Sequence, residues 1–97
     1  MMNDTAIRNT LMVNVVYLAR LREAFGSAGE QLPIQLTTEV ATVNDVLTTL
    51  ASRGGAFATE LAAGRAVRVA VNHTLVSRDA SVRHGDEVAL LPPVTGG

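Results

Sequence analysis

The feature that most constrains this chain is one well-formed amphipathic helix set among short β-branched runs. Thr42 is a good N-cap, and Asp45 sits at the third helical position, near the positive end of the helix dipole. Ala41 and Val46 are placed to make the accompanying hydrophobic staple. Val43, Val46, Leu47 and Leu50 then fall at i, i+3, i+4 and i+7, on one face of a helix over residues 43–52. Arg53 and Gly54 are expected to close it, as a favourable last turn and a left-handed cap. One such helix covers one face of a sheet and no more, so the pattern predicts a two-layer α+β domain.

The strands are read from period-two patterning. Residues 11–18 form the first, with Met12, Asn14, Val16 and Leu18 on its wetter face. Leu21 and Phe25, four apart, then mark a short helical turn over 19–25, stopped by Gly26. Residues 31–37 read as a second strand, at an edge because Pro33 interrupts it, with 26–29 as the loop before it. Residues 56–63 suit a short second helix through Phe57 and Leu61, ended by Gly64. Residues 67–71 alternate as the third strand, and Asn72-His73 is a tight turn into Leu75-Val76. Residues 77–83 read as irregular and His84-Gly85-Asp86 as a turn. Residues 87–91 form the last strand, with Val88 and Leu90 on one face and Glu87, Ala89 and Leu91 on the other. The resulting order is β-(turn)-β-α-β-β, a mostly hairpin-built mixed sheet with one main helix packed on one face.

The flanks differ from the body. Residues 1–10 are polar and unpatterned and are read as a flexible extension to a domain over 11–91. Residues 92–97 are read as an extended tail: Pro92 and Pro93 can neither continue a helix nor donate to a ladder. Val94 and Thr95 keep the tail extended, and Gly96 and Gly97 strip its end of side chains. Such a segment is short, uncharged and narrow, suited to being threaded into a partner.

Composition excludes several functions. There is no cysteine, which rules out disulfides, zinc–thiolate sites and thiol catalysis. All eight basic residues are arginine, so there is no side-chain amine for Schiff-base chemistry. A net charge of −1 gives no electrostatic footprint for nucleic acid or an anionic membrane. No apolar run approaches the roughly 20 residues needed to cross a bilayer, and no signal-peptide pattern opens the chain. A soluble cytoplasmic protein is expected. His73 and His84 lie in turns, Asp86-Glu87 reads as a solvated strand start, and Gly54-Gly55 lacks a phosphate-loop context. No metal site or catalytic constellation emerges. The chemistry is therefore expected to belong to a partner or to the chain's own terminus.

Several segments together carry a resemblance. They are 19–23 (Ala-Arg-Leu-Arg-Glu), the Thr-Val-x-Asp helix start at 42–45, and 71–76 (Val-Asn-His-Thr-Leu-Val). Gly85-Asp86-Glu87-Val88-Ala89 and Pro92-Pro93-Val94-Thr95-Gly96-Gly97 complete it. Over residues 11–97 the chain resembles the ubiquitin-like (β-grasp) sulfur carriers of the MoaD/ThiS family, and within them the MoaD branch. The family commonly has aromatic residues where this chain has Leu18 and Leu91.

The resemblance implies a carrier that is not catalytic alone. On that resemblance, the Gly97 carboxylate is expected to be adenylated by a MoeB-like, E1-like adenylyltransferase using ATP and Mg²⁺, then converted to a thiocarboxylate. The sulfur passes to cyclic pyranopterin monophosphate in molybdenum cofactor biosynthesis. That transfer takes place in the pocket of a MoaE-like large subunit of molybdopterin synthase, in a heterotetramer. No cofactor is implied for this chain itself. Pro92, Pro93, Val94, Thr95 and Gly96 thread into the partner. Leu18, Leu75 and Leu91 are expected to form an open apolar patch beside the tail, and Arg22 to pair with an acidic group. The alternatives are a carrier for thiazole or cysteine synthesis, or an interaction module whose diglycine is incidental.

Overall fold

In the computed structural model, residues 10–36, 40–62 and 66–92 are described. They form strands β1 (Thr10–Tyr17), β2 (Gly29–Gln35), β3 (Ala41–Thr42), β4 (Arg68–Val71), β5 (Thr74–Val76), β6 (Ser81–Val82) and β7 (Glu87–Leu91). Three helices, α1 (Arg20–Phe25), α2 (Val43–Ala51) and α3 (Gly55–Glu60), are interleaved with them. The main sheet runs β2-β1-β7-β4-β5. At its centre β1 and β7 are parallel, with Val15 opposite Val88 and Tyr17 opposite Leu90. All other pairings in it are antiparallel.

The sheet is mixed, as expected, and the parallel pair is β1 with β7. Only β4 and β5 are joined by a two-residue turn, and Asn72 and His73 both take positive φ there (49° and 73°). That backbone follows the right-handed twist of the flanking strands. β2 lies at an edge, as Pro33 demands, but begins at Gly29 rather than at 31. β1 begins at Thr10, one position before the expected boundary, and ends at Tyr17.

The core lies between one sheet face and the helices. Leu11, Val13, Val15 and Tyr17 of β1 join Leu32, Ile34, Val69, Val88 and Leu90 on that face. Val43, Val46, Leu47 and Leu50 of α2 pack against them. At about 1.5–3 kcal/mol for each fully buried aliphatic side chain, this face is the main stabilising term. The start of α2 has the expected N-cap: Thr42 Oγ1 accepts from the Asp45 N–H (3.3 Å) and Asp45 Oδ2 accepts from the Thr42 N–H (2.8 Å).

Its end is not as read from the sequence. Ser52 is the C-cap, in right-handed geometry, and Gly54 (φ 76°, ψ −166°) instead precedes α3. Arg53 reaches away from the helix dipole to Glu30. α3 is also shorter than expected and stops at Glu60, with Leu61 as its cap; Gly64 lies outside the described residues. The 77–83 stretch contains β6, whose two residues pair with β3. Its loop also serves α2: Arg78 and Ala80 carbonyls accept from the Asn44 and Val43 N–H groups at 2.8 and 2.9 Å. Two-residue strands have no periodicity to read, which is why they escaped the pattern.

Candidate docking face and tail exit

Strand parity sorts the second face of the sheet, which no helix among the described residues covers. Val16, Ala89, Ala70 and Leu75 form one row across β1, β7, β4 and β5. Leu91 and Arg68 pair in the next row, and Leu18 extends it on the β1 side. The Leu18 N–H donates to the Leu90 carbonyl at 3.1 Å, so the parallel ladder runs one residue beyond β1. The sequence-derived trio therefore shares one face. Leu18 and Leu91 are half-buried neighbours at the sheet end from which the tail departs. Leu75 is 56% exposed and stands apart, with Ala70 and Ala89 forming the floor between.

Immediately after Leu18 the chain turns sharply. Ala19 has φ 52°, a left-handed value for a residue with a side chain, and α1 begins at the next position. Arg22 is exposed on α1, and its carbonyl accepts from the Gly26 and Ser27 N–H groups at the helix end. Pro92 is half-buried at the exit itself. Pro93, Val94, Thr95, Gly96 and Gly97, the remainder of the expected threading segment, lie outside the described residues.

On the opposite face, the site's foundation is a polar and aromatic cluster that sequence reasoning missed. Tyr17 is fully buried, and its hydroxyl donates to Glu30 Oε2 at 2.6 Å. Arg53 donates to both Glu30 oxygens at 2.7 and 2.8 Å. The Arg53 hydrogen bonds hold the Glu30 carboxyl below the ordinary carboxylate range, and the same contact raises Arg53. Burial pushes the Tyr17 phenol well up, and the neighbouring Glu30 carboxylate adds to the shift. Phe25 stacks on Phe57 at 4.2 Å, Tyr17 meets Phe25 edge-on at 4.9 Å, and the Arg53 guanidinium lies over Phe57. The chain's three aromatic residues thus form one cluster, anchoring α1 and α3 beneath the end of β1. The one available signal was that Tyr17 falls on the apolar parity of β1.

The open face also carries residues that the leucine-based reading did not pick out. Arg68 sits directly across from Leu91, and the parity of 87, 89 and 91 in β7 was the signal that would have found its neighbours. Among the described residues, no group of three or more His, Cys, Asp or Glu side chains is placed to hold a metal. No helix among them is long and apolar enough to cross a membrane.

A five-stranded mixed sheet with parallel β1 and β7 at its centre and, among the described residues, a helix layer on one face defines a ubiquitin-like β-grasp domain. The comparisons specify the group more narrowly. The ThiS family model matches residues 15–97. The molybdopterin synthase sulfur carrier subunit of Haemophilus influenzae is 41% identical over 86 residues, 89% of this chain and 100% of that protein. Its Escherichia coli counterpart is 36% identical over the same shares. The solved structure of a putative molybdopterin converting factor, subunit 1, from Pyrococcus furiosus superposes with a TM-score of 0.68 at 28% identity. It covers 87% of this chain and 99% of that one. The chain belongs to the ThiS family, as a sulfur carrier of the MoaD/ThiS type.

Proposed function

We propose that this chain is the sulfur-carrying small subunit of a molybdopterin synthase, with Gly97 as the carrier residue. The observation that carries the reading is the match to two sulfur carrier subunits of that enzyme over their entire length. The tail exit supports it: the last strand ends at Leu91, on the rim of a face that no helix among the described residues covers, and prolines follow at once in the sequence.

In this reading the Gly97 carboxylate attacks the α-phosphorus of ATP in a MoeB-like, E1-like enzyme that uses Mg²⁺, and pyrophosphate leaves. A free carboxylate is a poor electrophile, whereas the acyl-adenylate has a good leaving group. Sulfide-level sulfur displaces AMP and leaves a thiocarboxylate. That sulfur is then delivered to cyclic pyranopterin monophosphate in a MoaE-like large subunit, the two subunits forming a heterotetramer. The chain binds no cofactor of its own in this scheme.

Glycine fits both steps, since it approaches buried chemistry without side-chain clash. Docking through Leu18, Leu75 and Leu91, with Arg22 at the rim, gives the tail an effective concentration that free sulfide lacks.

The test is the mass of the C-terminal fragment from protein isolated from its own cells. A fraction with one Gly97 oxygen exchanged for sulfur is expected. Carboxylate alone, even after incubation with the activating enzyme, ATP and a sulfur donor, would overturn the reading.

A further inference from the structure

Beside the tail exit, β4 and β5 border a groove of about 500 Å³. Its walls are Val67, Val69 and Leu75, and its polar groups come from Arg68, Ser77 and Arg78. Among the described residues no carboxylate lines it, although Ser77 Oγ donates to the Asp79 carboxylate at its border. Arg68 and Arg78 are both exposed, and neither enters an ion pair among the described residues. Of the six described arginines, Arg20 and Arg53 enter ion pairs, whereas Arg22, Arg68, Arg78 and Arg83 do not. Arg20 pairs with Glu60 at 2.8 Å and Arg53 with Glu30 at 2.7 Å, although the chain as a whole is slightly acidic. Two of the four unpaired described guanidiniums thus border one groove.

The groove lies beside the tail exit, because its Arg68 is the cross-strand partner of Leu91. It also follows the sheet's outer edge, since β5 pairs with β4 alone. An exposed edge strand can take up an extended segment by strand addition. Guanidiniums recognise carboxylates through paired N–H donors, and they do so most strongly where apolar walls exclude water.

We infer that this groove receives an extended acidic segment of the large subunit, with carboxylates paired to Arg68 and Arg78. The two arginines then select the partner, while the leucine face and the tail supply generic carrier contacts. A nucleic acid is a poor fit, because two charges on a net-negative chain make no field along a phosphate backbone. The inference rests on the carrier reading for the identity of the partner.

The experiment is calorimetric titration of the full-length chain with its large subunit over a salt series. The variants are Arg68→Glu/Arg78→Glu and the charge-retaining Arg68→Lys/Arg78→Lys, each checked for folding by amide NMR. The reversal is expected to weaken binding at least tenfold and flatten the salt dependence, with the lysine variant recovering part of the affinity. Unchanged affinity in the reversal variant overturns the groove assignment. So does displacement of the large subunit by inorganic phosphate at constant ionic strength, which would mark a small-anion site. Absence of wild-type binding overturns it as well. The Gly97 thiocarboxylate mass is read separately, so the carrier reading can stand when the groove assignment falls, and the reverse.

Discussion

Arg53 grips Glu30 with two parallel hydrogen bonds, to Oε1 at 2.7 Å and Oε2 at 2.8 Å, while the Tyr17 hydroxyl donates to Oε2 from the core. This joins the loop after α2 to the first turn of β2, and both to the end of β1. Because Glu30 and Arg53 are partly exposed, the pair is worth less than a buried one. Glu30→Gln is expected to cost about 1–2 kcal/mol, measured by urea denaturation at neutral pH.

The same network sets an acid limb. The Glu30 carboxyl is held below its ordinary value of 4.5, so at acid pH the folded chain binds fewer protons than the unfolded chain. Its stabilisation is complete above that value and is lost as pH falls through the lowered one. Denaturation midpoints between pH 6 and pH 3 should therefore fall more steeply in wild type than in Glu30→Gln. Parallel curves would remove Glu30 from the acid response.

Gly29 has a steric reason to be glycine. A Cβ there would lie 2.4 Å from the Val15 carbonyl oxygen, and backbone in the middle of a sheet cannot yield cheaply. Gly29→Ala is expected to destabilise the domain by about 1–3 kcal/mol, read by thermal unfolding. It should also disturb the β1 end that carries Leu18.

His73 sits at φ 73° in the β4–β5 turn and is 83% exposed, with a weak 3.7 Å contact to Glu87. A side chain is costly in that backbone, and the contact is worth little at the surface. His73→Gly is expected to raise stability by about 1 kcal/mol, with sulfur transfer unchanged. A lowered melting temperature would contradict this account.

Deleting Gly96 and Gly97 should leave the fold and large-subunit binding intact while abolishing sulfur transfer. Leu91→Glu should do the reverse: it keeps the terminus available for adenylation in principle but places a carboxylate on the apolar docking face, so co-purification with the large subunit is lost. An interaction module with an incidental diglycine would be untouched by the first change.

Much of this architecture was legible because its signals are local. The Thr42–Asp45 helix start, the Val43/Val46/Leu47/Leu50 face, the Asn72-His73 turn and the bounds of β7 all depend on residues within a few positions of one another. What escaped depends on distant partners. The parallel β1/β7 pairing, the β3/β6 bridge and the Tyr17–Glu30–Arg53 network join residues that no period connects. Arg53 illustrates the difference: helix-end logic assigned it to the dipole, whereas a bidentate carboxylate 23 positions away offers more than a terminal carbonyl. That Leu91 lies on the open face was legible from parity, since it alternates with Val88 and Leu90. Arg68 was not, because only the β4/β7 register places it beside Leu91.

The parallel alignment of β1 and β7 also has a mechanical meaning. The tail leaves the end of a strand bonded on one side to β1 and on the other to β4. A partner that grips the open face and draws the tail into its own interior therefore loads β7 along its length. The strand resists in shear, through all its interstrand hydrogen bonds at once, rather than peeling one bond at a time as an edge strand would. In a carrier drawn by its tail, pairing on both sides would spread that load from β7 into β1 and β4 together.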